Sequence, residues 1–124
     1  MFGTPRLTRH PQSAWIEGMT ATHALTRADV EACLADAQTE ILGLGVRRLA
    51  LFGSVRRNAA RADSDVDLLV EFQPGQKSYD RFVAVGDLLE RLLERSVELV
   101  TPESLSPFLK PYILAQATDV VRAA

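Results

Sequence analysis

The stretch from Leu49 to Phe72 constrains what this chain can fold into more than any other. An apolar run ends at Gly53 and Ser54, a polar segment with three arginines follows, and a second apolar run begins at Asp65 and Asp67. Side chains two residues apart on a strand point to the same side of the sheet. The two carboxylates are therefore expected to lie close together, which is unfavourable unless a cation lies between them. This spacing predicts a metal site.

The Gly-Ser pair predicts a phosphate-binding turn beside the two acids. Glycine lets the backbone approach a ligand closely, and the first free N–H groups of a helix favour an anion. Each motif alone is weak, because Gly-Ser is more often a simple turn and Asp-x-Asp is common at exposed strand ends. Sequential strands are usually neighbours in a sheet, however, so both motifs are expected at one rim. Together they predict a triphosphate at Gly53 and Ser54 and magnesium at Asp65 and Asp67.

Glu98 is a third candidate carboxylate, because it interrupts the apolar strand predicted at Val97–Val100. A charged residue with buried neighbours needs a partner or solvent on its own face. If it shares a face with Asp65 and Asp67, two magnesium ions could bind, and Glu98 would complete one site and help to deprotonate an attacking hydroxyl. An acid on an edge strand that faces water explains Glu98 equally well. Both interpretations stay open from the sequence.

The remaining pattern predicts helices and strands in alternation. Thr26 and Asp29 form a capping-box sequence that begins the first helix. In chain order the predicted elements are a helix to Gly43, a strand at Val46–Phe52, a helical turn to Arg61, a strand at Asp65–Phe72, a Leu-rich helix to Leu93, a strand at Val97–Val100, a helix around Tyr112 and an edge strand at Val120–Val121. This order predicts an α+β (mixed α/β) fold in which a small mixed sheet of three to four strands packs against helices.

Length, charge and cysteine content limit the function classes. The chain has 124 residues, which predicts one domain at residues 25–124 after a loosely ordered N-terminal extension at residues 1–24. The net charge of -2 argues against strong nucleic-acid binding, and no apolar run approaches a membrane span. The N-terminus lacks a signal-peptide pattern, so a cytoplasmic location is expected. Cys33, the single cysteine, is expected to be a small buried residue rather than a nucleophile.

The central stretch resembles the minimal nucleotidyltransferases of the DNA polymerase beta superfamily. The residues that carry the resemblance are Gly53-Ser54, ten residues, and then Asp65-Val66-Asp67 followed by Leu68-Leu69-Val70. The resemblance covers roughly residues 30–121 and implies the nucleotidyltransferase fold. By position it implies that Gly53 and Ser54 hold the triphosphate and that Asp65 and Asp67 bind metal. It also implies a phosphate role for Arg57, which occupies the arginine position of the family pattern GSxARG.

Three positions depart from the family pattern. Arg56 and Asn58 stand where GSxARG has Ala and Gly, although Asn tolerates a left-handed backbone. Glu98 stands where the family often has a third Asp. Its longer side chain can still reach a metal ion, but the change leaves the activity open.

The resemblance also implies a partner and a reaction. Minimal nucleotidyltransferases are typically encoded beside a HEPN-domain toxin, so it implies a magnesium-dependent antitoxin that transfers AMP from ATP to a tyrosine of that toxin. The chain has no room for an acceptor-binding domain, so the acceptor is expected on another chain. An antitoxin that neutralises its partner by binding alone, through the Leu-rich helix or the C-terminal segment, is the alternative. A transferase acting on a small molecule such as an aminoglycoside is disfavoured by the missing acceptor domain.

Overall fold

The computed structural model describes residues 24–123, and most of the predicted N-terminal extension lies outside them. Within the described part there are five α-helices, four strands and a 3-10 turn at Pro102–Ser104. The helices are α1 (Arg27–Asp36), α2 (Gln38–Leu42), α3 (Gly53–Arg56), α4 (Tyr79–Leu93) and α5 (Lys110–Gln116). The strands are β1 (Val46–Phe52), β2 (Val66–Phe72), β3 (Val97–Val100) and β4 (Thr118–Arg122).

The strands form one mixed sheet in the order β3-β2-β1-β4. β1 is antiparallel to both β2 and β4, whereas β2 and β3 are parallel. A parallel pair needs a long crossover connection, which α4 provides between β2 and β3. The predicted α+β class with a small mixed sheet is confirmed, and the C-terminal edge strand makes it four-stranded.

The core lies between one face of the sheet and the helices. Leu49 and Leu51 of β1 are fully buried there with apolar side chains of α1 and α4. Ala50, on the opposite face of β1, is also fully buried. β1 is therefore covered on both sides at its centre, as its apolar sequence predicts.

Ion pairs link three strands on the face that carries Ala50. Arg48 of β1 contacts Glu71 of β2, with 2.7 Å between Nη1 and Oε2, and also contacts Asp119 of β4. Arg47 adds a second contact to Glu71, and Arg122 adds a second contact to Asp119. The paired groups hold β2 and β4 in register on either side of β1.

Two predicted helices are shorter than expected. The first breaks at Ala37, whose φ of -103° and ψ of 15° are not helical, so α1 and α2 are separate. The predicted capping box at its start is confirmed, since Thr26 and Asp29 exchange side-chain and backbone hydrogen bonds. The turn after Gly53 ends at Arg56 instead of continuing to Arg61, because Asn58 adopts a left-handed conformation with φ of 56°.

The two apolar segments that could bind a partner differ in exposure. The Leu-rich helix α4 buries its apolar stripe, including Leu88, Leu89, Leu92 and Leu93, in the core. The C-terminal segment instead exposes Phe108, Leu109, Tyr112 and Leu114. Partner binding through the leucines of α4 would therefore require the core to open.

Cys33 is buried as predicted, and burial raises the pKa of its thiol to about 12, so it is not a nucleophile at neutral pH. No helix of residues 24–123 has the length and apolar character required to cross a membrane.

Candidate active site

The turn between β1 and α3 lies directly against Asp67. Gly53 has φ of +77°, which favours glycine, and a Cβ at this position would lie 2.9 Å from Cγ and 3.1 Å from Cβ of Asp67. Phe52, the last residue of β1, pairs with Asp67 across the antiparallel ladder. Glycine is therefore required both by the backbone conformation and by the neighbouring carboxylate.

Glu98 lies beside Asp67 on the neighbouring strand. The two residues are register partners in the parallel pairing of β2 with β3, so their side chains project from the same face of the sheet. Glu98 is exposed on an edge strand, while Asp67 is half-buried. Both interpretations of Glu98 thus describe part of its environment: it faces water, and it also faces a second carboxylate.

Asp65 joins the group from the segment just before β2. It is exposed and lies two residues before Asp67, outside the strand itself, which begins at Val66. Burial, then the charges of Glu98 and Asp65, raise the pKa of Asp67 to about 6. The guanidinium of Arg57 acts in the opposite direction and lowers this pKa. The structure therefore brings three carboxylates and one arginine within electrostatic range at one rim.

Ser54 and Arg57 border the same rim. Ser54 is the second residue of α3 and is half-buried, whereas Arg57 is the exposed C-cap of that helix. Of the other two arginines in this segment, Arg61 forms an exposed ion pair with Asp63, with 3.7 Å between Nε and Oδ1. Arg56 donates a hydrogen bond to Thr118. Of these three arginines, Arg57 is thus the one whose charge acts on Asp67, and its phosphate role stays a prediction.

A family model for the nucleotidyltransferase domain matches residues 34–120, from the last turn of α1 into the first half of β4. The chain belongs to the nucleotidyltransferase domain family. The matched range contains the Gly53 turn and all three acids of the rim.

Similar proteins agree with this assignment. The nucleotidyltransferase is 35% identical over 97 residues to the protein adenylyltransferase MntA of Thermococcus cleftensis, covering 77% of this chain and 97% of that protein. It is 37% identical to a solved candidate minimal nucleotidyltransferase, with a TM-score of 0.60 and coverage of 74% of this chain and 89% of that one. A Shewanella oneidensis MNT antitoxin, solved in complex with a tri-AMPylated HEPN toxin, has the same fold at 19% identity, with a TM-score of 0.54 and coverage of 76% and 71%.

The three acids provide the oxygen ligands that magnesium prefers, but their side chains do not form a complete ligand set. Carboxylate oxygens are the usual protein ligands of this ion, and after burial the negative charges of Glu98 and Asp65 also raise the pKa of Asp67. Nevertheless, within residues 24–123 no three His, Cys, Asp or Glu side chains are grouped closely enough to hold a metal ion. The residue types and the charge of the rim fit magnesium, while the side chains as they stand do not form a three-carboxylate ligand set.

The raised pKa of Asp67 predicts that, without metal, the contribution of this one carboxyl to the stability of the nucleotidyltransferase falls as pH rises from 4 to 7. The unfolded chain ionises this carboxyl near its ordinary pKa of 3.8, whereas the folded chain ionises it only near 6. Its contribution to stability is therefore complete below pH 4 and is lost as pH rises through 6. Thermal melting of the wild type and of Asp67→Asn in a chelator checks this. The other acids are present in both proteins, so their contributions to the pH dependence cancel when one melting temperature is subtracted from the other.

We expect the melting temperature of Asp67→Asn to exceed that of the wild type by an amount that grows between pH 4 and 7. Asp63→Asn is the matched control, since it removes an exposed carboxylate two residues before Asp65. It should follow the pH dependence of the wild type. A constant difference between wild type and Asp67→Asn over this range would contradict the raised pKa.

Two contacts of the α3 turn have no counterpart in the sequence prediction. Arg56 Nε donates to Thr118 Oγ1 over 3.1 Å, and Asn58 Oδ1 accepts from the backbone N–H of Arg27 over 2.8 Å. Their partners are 62 and 31 residues away in the chain. The only signal in the sequence was that both residues depart from the family pattern, which marks the positions but not the partners.

Proposed function

We propose that this nucleotidyltransferase is an antitoxin that transfers AMP from ATP to a hydroxyl of a HEPN-domain toxin. The observation that carries the proposal is the contact between the Gly53 turn and Asp67, with Glu98 in register beside it. A backbone turn open to phosphate and a cluster of acids at one rim are the two components that nucleotidyl transfer needs. The name of the Thermococcus cleftensis relative and the AMPylated toxin bound to the Shewanella oneidensis protein support the same reaction.

The residues of the rim divide into a phosphate side and an acidic side. Gly53 and Ser54 would hold the triphosphate, and Arg57 would exchange its interaction with Asp67 for phosphate oxygens. Asp65, Asp67 and Glu98 would hold two magnesium ions. When bound, these ions would neutralise the phosphates and make the acceptor hydroxyl more acidic. Positioning and charge neutralisation account for most of the catalysis in such reactions.

The transfer balances with an acceptor hydroxyl from the partner. The hydroxyl oxygen forms a bond to the α-phosphorus of ATP, and the bond from that phosphorus to the bridging oxygen of the β-phosphate breaks. Pyrophosphate leaves with the electron pair, and the product is an AMP ester of the partner. Glu98, which is exposed beside Asp67, would help to accept the hydroxyl proton.

Radiolabelled ATP tests this function directly. The protein is incubated with magnesium and a HEPN-domain protein encoded beside it, using ATP labelled at either the α- or the γ-phosphate. We expect the partner to be labelled by α-labelled ATP only, because AMP transfer retains the α-phosphate and releases the γ-phosphate. Label from the γ-phosphate would indicate a kinase, and no label from either would contradict the proposed transfer.

A second function, neutralisation by binding alone, is favoured by one observation. The C-terminal segment exposes Phe108, Leu109, Tyr112 and Leu114, which is an apolar surface suited to protein contact. The double variant Asp65→Asn, Asp67→Asn separates the two functions in cells that produce the toxin. Rescue of growth that persists undiminished in this variant would support binding alone, whereas loss of rescue would support AMP transfer.

A further inference from the structure

The Gly53–Arg56 turn, α3, is too short to be stable without contacts to the rest of the chain. α3 contains only four residues, and Val55 is its one buried side chain. Helices of this length are unstable without tertiary contacts, because few hydrogen bonds offset the cost of ordering the backbone. The conformation of this turn must therefore depend on bonds to other parts of the chain.

Two side-chain hydrogen bonds provide such contacts at the end of the turn. Asn58 adopts the left-handed conformation and caps the N-terminus of α1 through the N–H of Arg27. Arg56 reaches across to Thr118, the first residue of β4. The turn is thus attached on one side to α1 and on the other to the C-terminal segment.

Thr118 is itself held in a fixed position. Its backbone pairs with Leu51 of β1, two residues before Gly53, so it lies beside the strand that leads into the turn. Its hydroxyl is 3.5 Å from the carbonyl oxygen of Gln116, to which it can donate. The hydroxyl oxygen remains available as an acceptor for Arg56.

We propose that Arg56 is a positioning residue whose hydrogen bond to Thr118 holds the Gly53–Arg56 turn ready to receive the triphosphate. The inference rests on the proposed nucleotide binding and adds the residue pair that prepares the site. Without the bond, the turn spends less time in the binding-competent geometry, and the apparent affinity falls by that fraction. Arg56 need not touch the nucleotide for this effect.

Thr118→Val tests the proposal, because valine keeps the branched shape and the strand but removes the acceptor oxygen. We expect Kd and KM for MgATP to rise about fivefold, while kcat stays within about twofold of the wild type. Titration calorimetry with MgATP and steady-state AMP transfer measure these quantities. Thr118→Ser, which restores the hydroxyl, should return Kd and KM to wild-type values.

The variant Arg56→Ala completes a double-variant cycle with Thr118→Val. If the two side chains act through their mutual bond, each single variant and the double variant raise Kd to the same extent. A rise in Arg56→Ala but not in Thr118→Val would show that Arg56 acts on the nucleotide directly, which overturns the positioning role. A lower melting temperature with unchanged Kd would overturn it as well, because the bond would then serve stability alone.

The wild-type titration separates failure of this inference from failure of the proposed function. If the wild type binds MgATP and Thr118→Val binds it equally well, only the positioning role of Arg56 is wrong. If the wild type does not bind MgATP, the proposed transfer is wrong and the positioning role is wrong with it.

Discussion

Replacing Asp67 with Asn is expected to lower AMP transfer by about 10³-fold or more, which corresponds to about 4 kcal/mol of transition-state stabilisation. Asp67 is the acid at which the other components of the rim converge. It contacts the Gly53 turn, pairs in register with Glu98 and interacts with Asp65 and Arg57. The amide keeps the size of the side chain but removes the charge that would hold magnesium.

The same variant should be at least as stable as the wild type when no metal is present. Partial burial and then the like charges of Glu98 and Asp65 make the ionised Asp67 unfavourable, so its pKa is raised. Magnesium should raise the melting temperature of the wild type and have a much smaller effect on the variant. Loss of activity without loss of stability excludes misfolding as the cause.

Asp63→Asn is again the control, because it makes the same change of charge at an exposed residue near the site. Its rate of transfer and its response to magnesium should match those of the wild type. Two results would contradict a metal role for this residue. One is a wild-type melting temperature that neither magnesium nor ATP changes, and the other is substantial transfer by Asp67→Asn.

The parts of the fold that could be predicted are those fixed by local apolar pattern. The limits of the strands Val46–Phe52 and Val97–Val100 were predicted correctly, because apolar runs of these lengths are bounded by Gly43, Gly45 and Pro102. The adjacency of β1 and β2 followed from their order in the chain. Because β1 and β2 are antiparallel neighbours, the end of β1 at Gly53 lies beside Asp67 near the start of β2. This is the single rim that the sequence predicts for the two motifs.

The parts that could not be predicted depend on contacts between distant residues. Nothing local to Ala37 shows that the first helix must break there. Asn58 is a residue type that tolerates the left-handed backbone, but its sequence does not show its bond to Arg27. The bond of Arg56 to Thr118 and the ion pairs of Arg48 with Glu71 and Asp119 join different elements. The position of Glu98 depends on strand register, which its own four-residue strand does not encode.

Replacing Gly53 with Ala is expected to reduce AMP transfer by about 10²-fold to 10³-fold with a much smaller relative effect on folding. The added Cβ would overlap the carboxylate of Asp67, so the side chain must rotate away from the position it now holds. A flexible side chain can move at little cost in stability. The same movement removes the carboxylate from the triphosphate turn, and displacements of about 1 Å commonly cost 10²-fold in rate.

Gly75→Ala is a matched control for the backbone part of this effect. Gly75 has φ of +78°, almost the same as the +77° of Gly53, but a Cβ there would meet no atom within 4 Å. Both variants should therefore lose about 1–2 kcal/mol of stability from the left-handed backbone. Only Gly53→Ala should lose transfer, so the ratio of the two rates isolates the contact with Asp67. Equal rates in the two variants would mean that the close approach of the turn to the carboxylate has no role in the reaction.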